Sequence, residues 1–128
     1  MSFEETLIAA ARQARQNAYA PYSGFSVGAA LRTGSGRVFG GCNVENASYG
    51  LTICAERIAV AKAISEGERE FEAIAVVSRG RITPCGACRQ VLAEFNPNLR
   101  VIVGDLEGNH REFCLSELLP EAFSPGDL

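Results

Sequence analysis

A three-layer α/β/α sandwich around a mixed five-stranded sheet is the fold class predicted by this 128-residue sequence. Three observations carry that expectation. Segments with apolar side chains at helical spacing alternate with short strand-like segments, the pattern of helices laid on a sheet. Residues 73–77 and 101–103 are continuously apolar, as strands covered on both faces are. Residues 25–44 alternate apolar and polar on either side of Thr33-Gly34-Ser35-Gly36, which reads as an antiparallel hairpin.

The elements follow in order. Ser2 and Glu5 have capping-box spacing, and Leu7, Ala11, Ala14 and Ala18 continue at helical spacing, predicting a first helix to about Tyr19. Pro21 and Gly24 stop it. The hairpin places Phe25, Val27, Ala29 and Leu31 on one face of its first strand, and its second strand covers residues 38–44. Residues 54–64 are apolar on nearly all sides and predict a buried helix, with Gly67 as its C-terminal cap. A strand at 73–77, a helix from near Pro84 to just before Asn96-Pro97, and strands at 101–103 and 112–115 complete the set. Ser116 is the expected cap of a last helical turn. With no repeat or linker, residues 1–128 read as one domain.

Composition narrows the function classes. Hydrophobic residues make up 47% and charged residues 21%, which suits a packed core and argues against disorder. Twelve Lys and Arg against fifteen Asp and Glu give a net charge of -3, without a basic run, so a nucleic-acid polymer is not the expected partner. An acidic N-terminus and the absence of a long apolar run point away from export and from a membrane. Five cysteines, an odd number, fit metal ligation or buried thiols in the cytoplasm better than paired disulfides.

The sharpest local signal is Pro84-Cys85-Gly86-Ala87-Cys88, at the start of a helix. Cysteines three apart on a first helical turn present both sulfurs on one side, and the helix dipole favours thiolates there. Taken alone, this spacing also suits a redox pair or half of a structural zinc site. Two thiolates need a further ligand, and Cys54, opening the buried helix, is the candidate; three cysteines leave a fourth position for water. Glu56 follows two residues later, and a carboxylate in so apolar a helix is a costly burial without a chemical purpose. The combination Cys54-Ala55-Glu56 with Pro84-Cys85-x-x-Cys88 points to catalysis. Arg57 and Arg89 directly follow Glu56 and Cys88; they are either donors to the sulfurs, offsetting the charge of three thiolates, or ordinary surface ion pairs.

These residues resemble the zinc deaminases, in which H-x-E or C-x-E precedes P-C-x-x-C and the glutamate carries protons without ligating the metal. The three-cysteine form is similar to the homotetrameric branch of the cytidine deaminase family. Tyr19-Ala-Pro-Tyr-Ser, Gly41-Cys-Asn-Val-Glu-Asn-Ala-Ser-Tyr, Cys54-Ala-Glu-Arg, Pro84-Cys-Gly-Ala-Cys-Arg-Gln-Val and Leu118-Leu-Pro carry the resemblance along the chain.

The resemblance implies one Zn2+ per subunit on Cys54, Cys85 and Cys88, with Glu56 as proton shuttle. It implies hydrolysis of free cytidine or 2′-deoxycytidine by a zinc-bound hydroxide, in pyrimidine salvage. Phe25, Asn43, Glu45 and Ala55 fall at substrate-binding positions, Asn43 and Glu45 at the ribose; on the residues alone, Asn43 is a strand-end turn residue and Glu45 a solvated one. Phe123 corresponds to an aromatic reaching a neighbouring subunit's pocket, and Tyr49 to a position near subunit contacts, so the implied assembly is a homotetramer. Cys42 and Cys114 read as small buried hydrophobes. Two departures stand out: the stretch 77–83 is short and carries two arginines, and Ile58 replaces the expected Thr. A blasticidin-type deaminase, acting on a cytosine with a different sugar and a basic arm, is the rival reading. A zinc-stabilised binding module is the non-enzymatic one.

Overall fold

The computed structural model describes residues 1–128. Helix α1 (Phe3–Arg15) starts where the sequence says: the Glu5 amide donates to Ser2 Oγ (3.1 Å) and the Ser2 amide to Glu5 Oε1 (3.2 Å). It ends at Arg15, four residues before the expected Tyr19. The Tyr19 amide instead donates to the Asn43 carbonyl (2.9 Å), and its own carbonyl accepts from Glu45 (2.8 Å). A distant strand end therefore outcompetes the last helical turn for these backbone groups.

Strands β1 (Gly28–Thr33) and β2 (Val38–Cys42) form the hairpin, Ala30 opposite Gly40. β1 begins three residues later than the alternation suggested, and β2 ends two earlier. The cause is the Asn43 side chain, whose Oδ1 accepts from the Val27 amide (2.9 Å) and whose Nδ2 donates to the Phe25 carbonyl (2.8 Å). These bonds replace a strand ladder and free residues 25–27 from the sheet. β3 (Phe71–Val77), β4 (Arg100–Gly104) and β5 (His110–Cys114) complete five strands in the order β2-β1-β3-β4-β5. Only β3 and β4 are parallel neighbours, and helix α3 (Gly86–Phe95) connects them. The sheet is mixed, as expected.

Period-two alternation sorts the strand side chains into two cores. Ala30, Ala73, Ala75, Val77 and Ile102 meet Leu7, Ile8 and Ala11 of α1 on one face. Leu31, Ile74, Val76, Val101 and Val103 meet α2 (Ala55–Ser65) and α3 on the other, with Leu115 from α4 (Leu115–Leu118). Two glycines allow the close approach. A Cβ on Gly28 would lie 2.0 Å from the Ala11 carbonyl oxygen, and one on Gly41 2.4 Å from that of Ala55. The helices thus press the sheet from both sides at the same end.

Helix α2 is less enclosed than its composition predicted: Ala55, Glu56, Ala59, Val60 and Ala63 are buried, but Ala61, Lys62 and Ser65 are exposed. Gly67 takes a positive φ of 86° just past its end, as a cap requires. The last helical turn is capped by Cys114, whose amide donates to Glu117 Oε1 (2.7 Å), and not by Ser116.

Candidate active site

Cys54 and Cys85 are the N-cap residues of α2 and α3, both with extended backbone, and Cys88 lies in the first turn of α3. The three sulfurs lie within 4.8 Å of one another, with Cys54 and Cys85 3.9 Å apart and Cys85 and Cys88 3.5 Å apart. Sulfurs about 2.3 Å from a tetrahedral zinc stand about 3.8 Å from each other. The cluster therefore fits the ion in spacing and in its soft donor set.

Two helix N-termini converge on these sulfurs and favour negative charge. The Cys54 thiol is pulled down to about 5, mainly by a hydrogen bond from the Cys88 thiol and further by Arg57 and Cys85. Cys88, fully buried and donating to that thiolate, is held up as a thiol. Arg57 Nη2 donates to Cys54 Sγ (3.5 Å), and this bond raises the arginine further. Arg89 does otherwise. Its guanidinium donates to the carbonyls of Pro84 and Leu118 (both 2.6 Å) and to Thr83 Oγ1 (2.9 Å), so it braces the loop before Cys85 against α4 and spends its donors away from sulfur. The long-range partner, Leu118, takes the side chain out of reach of the expected contact.

Because Cys54 only caps α2, Glu56 is free to point into the same space. It is 4% exposed and lines a cavity of about 300 Å³ together with Cys54, Cys85 and Ala55. Its carboxyl is pushed up to about 7, first by desolvation and then by the Cys54 thiolate, against the pull of Arg57. A group poised there can both hold and release a proton near neutral pH.

Phe25, Asn43 and Glu45 line the same cavity. Asn43 is buried and uses one amide proton and one carbonyl lone pair on residues 25–27, which leaves a second of each. Glu45 accepts from the Tyr22 amide (2.9 Å), the Ser23 amide (3.1 Å) and the Ser23 hydroxyl, and the Ser23 bonds hold its carboxyl below the usual range. Phe123 stands apart: it is 58% exposed, and its carbonyl accepts from Gln90 Nε2 (2.8 Å). Tyr49 is exposed and packs tilted on Tyr22 at 5.8 Å, beside a shallower hollow that shares Ser23, Glu45 and Thr52 with the cavity. Cys42 and Cys114 are half-buried and lie outside the sulfur cluster.

Sequence reasoning gave no role to Ser78, Ile82 and Thr83, which form one wall. The signal is the short loop before Pro84, whose length is plain in the sequence and whose direction is not. Val27 and Val76, at strand ends, also line the cavity and read in sequence simply as core.

A family model described as "Cytidine and deoxycytidylate deaminase zinc-binding region" matches residues 1–104. The chain belongs to that family. A cytidine deaminase of Sporosarcina psychrophila is 51% identical over 127 residues, covering 97% of this chain and 93% of the relative. One from Halalkalibacterium halodurans is 54% identical, with coverage of 97% and 96%. The crystal structure of a cytidine deaminase from Burkholderia pseudomallei superposes with a TM-score of 0.92 at 55% identity, covering 96% of this chain and 100% of that one. A blasticidin-S deaminase of Bacillus cereus is more distant, at 31% over 73% of this chain. The five-stranded mixed sheet with its helices is thus the cytidine deaminase fold, and the chain is a zinc-dependent hydrolase of the cytidine deaminase family, with a three-cysteine cluster that fits its metal. No helix is long and apolar enough to cross a membrane.

Proposed function

We propose that the chain hydrolyses free cytidine and 2′-deoxycytidine to uridine and 2′-deoxyuridine, releasing ammonia. The observation that carries this reading is a buried glutamate in a cavity lined by Cys54 and Cys85 of the three-sulfur cluster and by Phe25, Asn43 and Glu45. Cys54, Cys85 and Cys88 would hold one zinc. When bound, the ion supplies a water acidified toward neutrality in the coordination position that three sulfur ligands leave open.

The remaining work falls to the protein. Glu56 takes a proton from the incoming water, delivers it to ring nitrogen N3, and passes one to the departing amine. The water oxygen bonds to C4 and gives its second proton, through Glu56, to the departing amine; the bond from C4 to the amino nitrogen breaks, and ammonia leaves. Burial keeps bulk water from competing for these transfers. Arg57 places positive charge on Cys54 and so offsets the surplus of three thiolates. Ala55 is buried against the cavity and lets the ring approach the glutamate. Phe25 offers an apolar face to the base. Asn43 and Glu45 have the spare amide and carboxylate capacity to bind ribose hydroxyls.

Phe123 and Tyr49, large and exposed, fit contacts between subunits of a homotetramer whose sites are completed by neighbours. Residues 1–128 then act as one domain, and the free thiols suit the reducing cytoplasm. A modified cytosine such as blasticidin S is the second substrate to examine, on the strength of the more distant relative.

The test is to follow the ultraviolet absorbance of cytidine and deoxycytidine with zinc-loaded protein, using Glu56→Ala as control. Loss of the cytosine signal with the native chain alone is the expected result. No loss with either nucleoside would refute the substrate assignment.

A further inference from the structure

The aromatic wall of the cavity has an unusual support. Phe25 is half-buried and belongs to neither apolar core, and it precedes the first strand. Its backbone is tied down by Asn43 Nδ2 on its carbonyl (2.8 Å) and by Ser23 Oγ on its amide (3.0 Å), but neither bond fixes the ring. With the backbone held, which staggered rotamer the ring adopts depends on the groups packed against it.

One such group comes from the loop between β3 and α3. Ser78 is 2% exposed and donates to the Gly80 carbonyl (2.5 Å), to which the Ile82 amide also donates (2.9 Å). The folded loop puts Ser78, Ile82 and Thr83 on the cavity wall and lays the Arg79 guanidinium over the Phe25 ring, 5.1 Å from its centroid. A guanidinium within about 6 Å of a ring face is attracted by the ring quadrupole. Arg81, on the same loop and also exposed, stacks on no ring.

We propose that Arg79 is a positioning residue, holding the Phe25 ring in place as a wall of the substrate cavity and so setting affinity for the pyrimidine. The inference rests on the reading of this cavity as the nucleoside site. Arg79 is exposed and touches the cavity through the Phe25 ring without lining it, so its contribution falls on binding and not on the chemical step. The strength of an exposed cation–π contact, in this case one that orders a second side chain, sets the scale at about 2–5-fold in KM.

The experiment is a steady-state comparison on cytidine with the full zinc-loaded protein. Arg79→Ala raises KM about 2–5-fold with kcat changed less than about 2-fold, Arg79→Lys restores most of the KM, and Arg79→Gln does not. Arg81→Ala leaves both constants at native values. In a Phe25→Leu background, Arg79→Ala has no further effect, because the ring through which it acts is gone. An unchanged KM, an equal effect of Arg81→Ala, or an additive effect in the Phe25→Leu background overturns the assignment while leaving cytidine as substrate. Native protein that does not turn over cytidine fails the functional reading itself, and this inference with it.

Discussion

Glu56→Gln is expected to remove turnover while making the metal-free protein more stable, and the size of the second effect follows from burial. The carboxyl of Glu56 sits at about 7 in place of 4.5, chiefly because desolvation penalises its charged form and then because the Cys54 thiolate repels it. A folded pKa above the unfolded one means that folding favours the protonated form. The resulting penalty is absent below pH 4.5, grows between pH 4.5 and 7, and is complete above that. At about 1.4 kcal/mol for each pH unit between the two values, it amounts to about 3 kcal/mol at pH 8. Glutamine has nearly the same shape and carries no charge, but its amide has a desolvation cost of its own, so a net gain of about 1–3 kcal/mol is expected. Urea melts of chelator-treated, reduced protein measure this directly, with the variant ahead at pH 8 and the gap closing toward pH 5. In the zinc-loaded enzyme the same change lowers kcat by about 10²–10⁴. Equal stabilities at both pH values would refute the burial argument, and an undiminished kcat would refute the shuttle.

Other consequences can be measured separately. Arg57→Ala removes the donor to Cys54 and is expected to weaken zinc about 10–100-fold in competition with a chromophoric chelator. Gly28→Ala drives a methyl into the Ala11 carbonyl, forces α1 away from the sheet and costs about 3 kcal/mol in urea unfolding. Acid acts in the opposite sense to Glu56. Glu5, Glu45, Glu68, Asp105 and Glu112 all titrate below their ordinary values through hydrogen bonds from Ser2, Ser23, Ser35, Asn109 and Arg100. Stability from a depressed carboxyl is complete above its unfolded pKa and lost as pH falls through the folded one, so melting temperature should drop below about pH 4.

What could be read from sequence was whatever neighbours decide. The Ser2–Glu5 box, the cap at Gly67 and the continuous apolar run at 73–77 depend on residues within a few positions, and all three stand in the structure. Tyr19 escaped because its partner, Asn43, is 24 positions away, and residues 25–27 because the Asn43 side chain takes over their ladder. Adjacency to Cys88 leaves open whether Arg89 serves the sulfurs, and one of its actual partners is Leu118, 29 positions on. Propensity has no access to such pairings. The cysteines and Glu56 were legible for another reason: their chemistry restricts which residue types can stand together, wherever the chain brings them.

Strand order explains why these groups meet. β1 runs antiparallel to both β2 and β3, so those two strands run parallel to each other and end on the same side of the sheet. Gly28 pairs with Cys42 on one side and Val77 on the other, which brings Val27, Asn43 and Ser78 to one edge. Helices α2 and α3 each follow one of the parallel strands and begin at this end. Two positive helix ends therefore face each other with Cys54 and Cys85 as their caps, where thiolates are most easily borne. Glu56, in the first turn of α2 and shut away from water, is shifted in the opposite sense. The same packing thus brings Cys88 and Arg57 onto Cys54, whose thiol they lower, and closes water off from Glu56, whose carboxyl that burial raises.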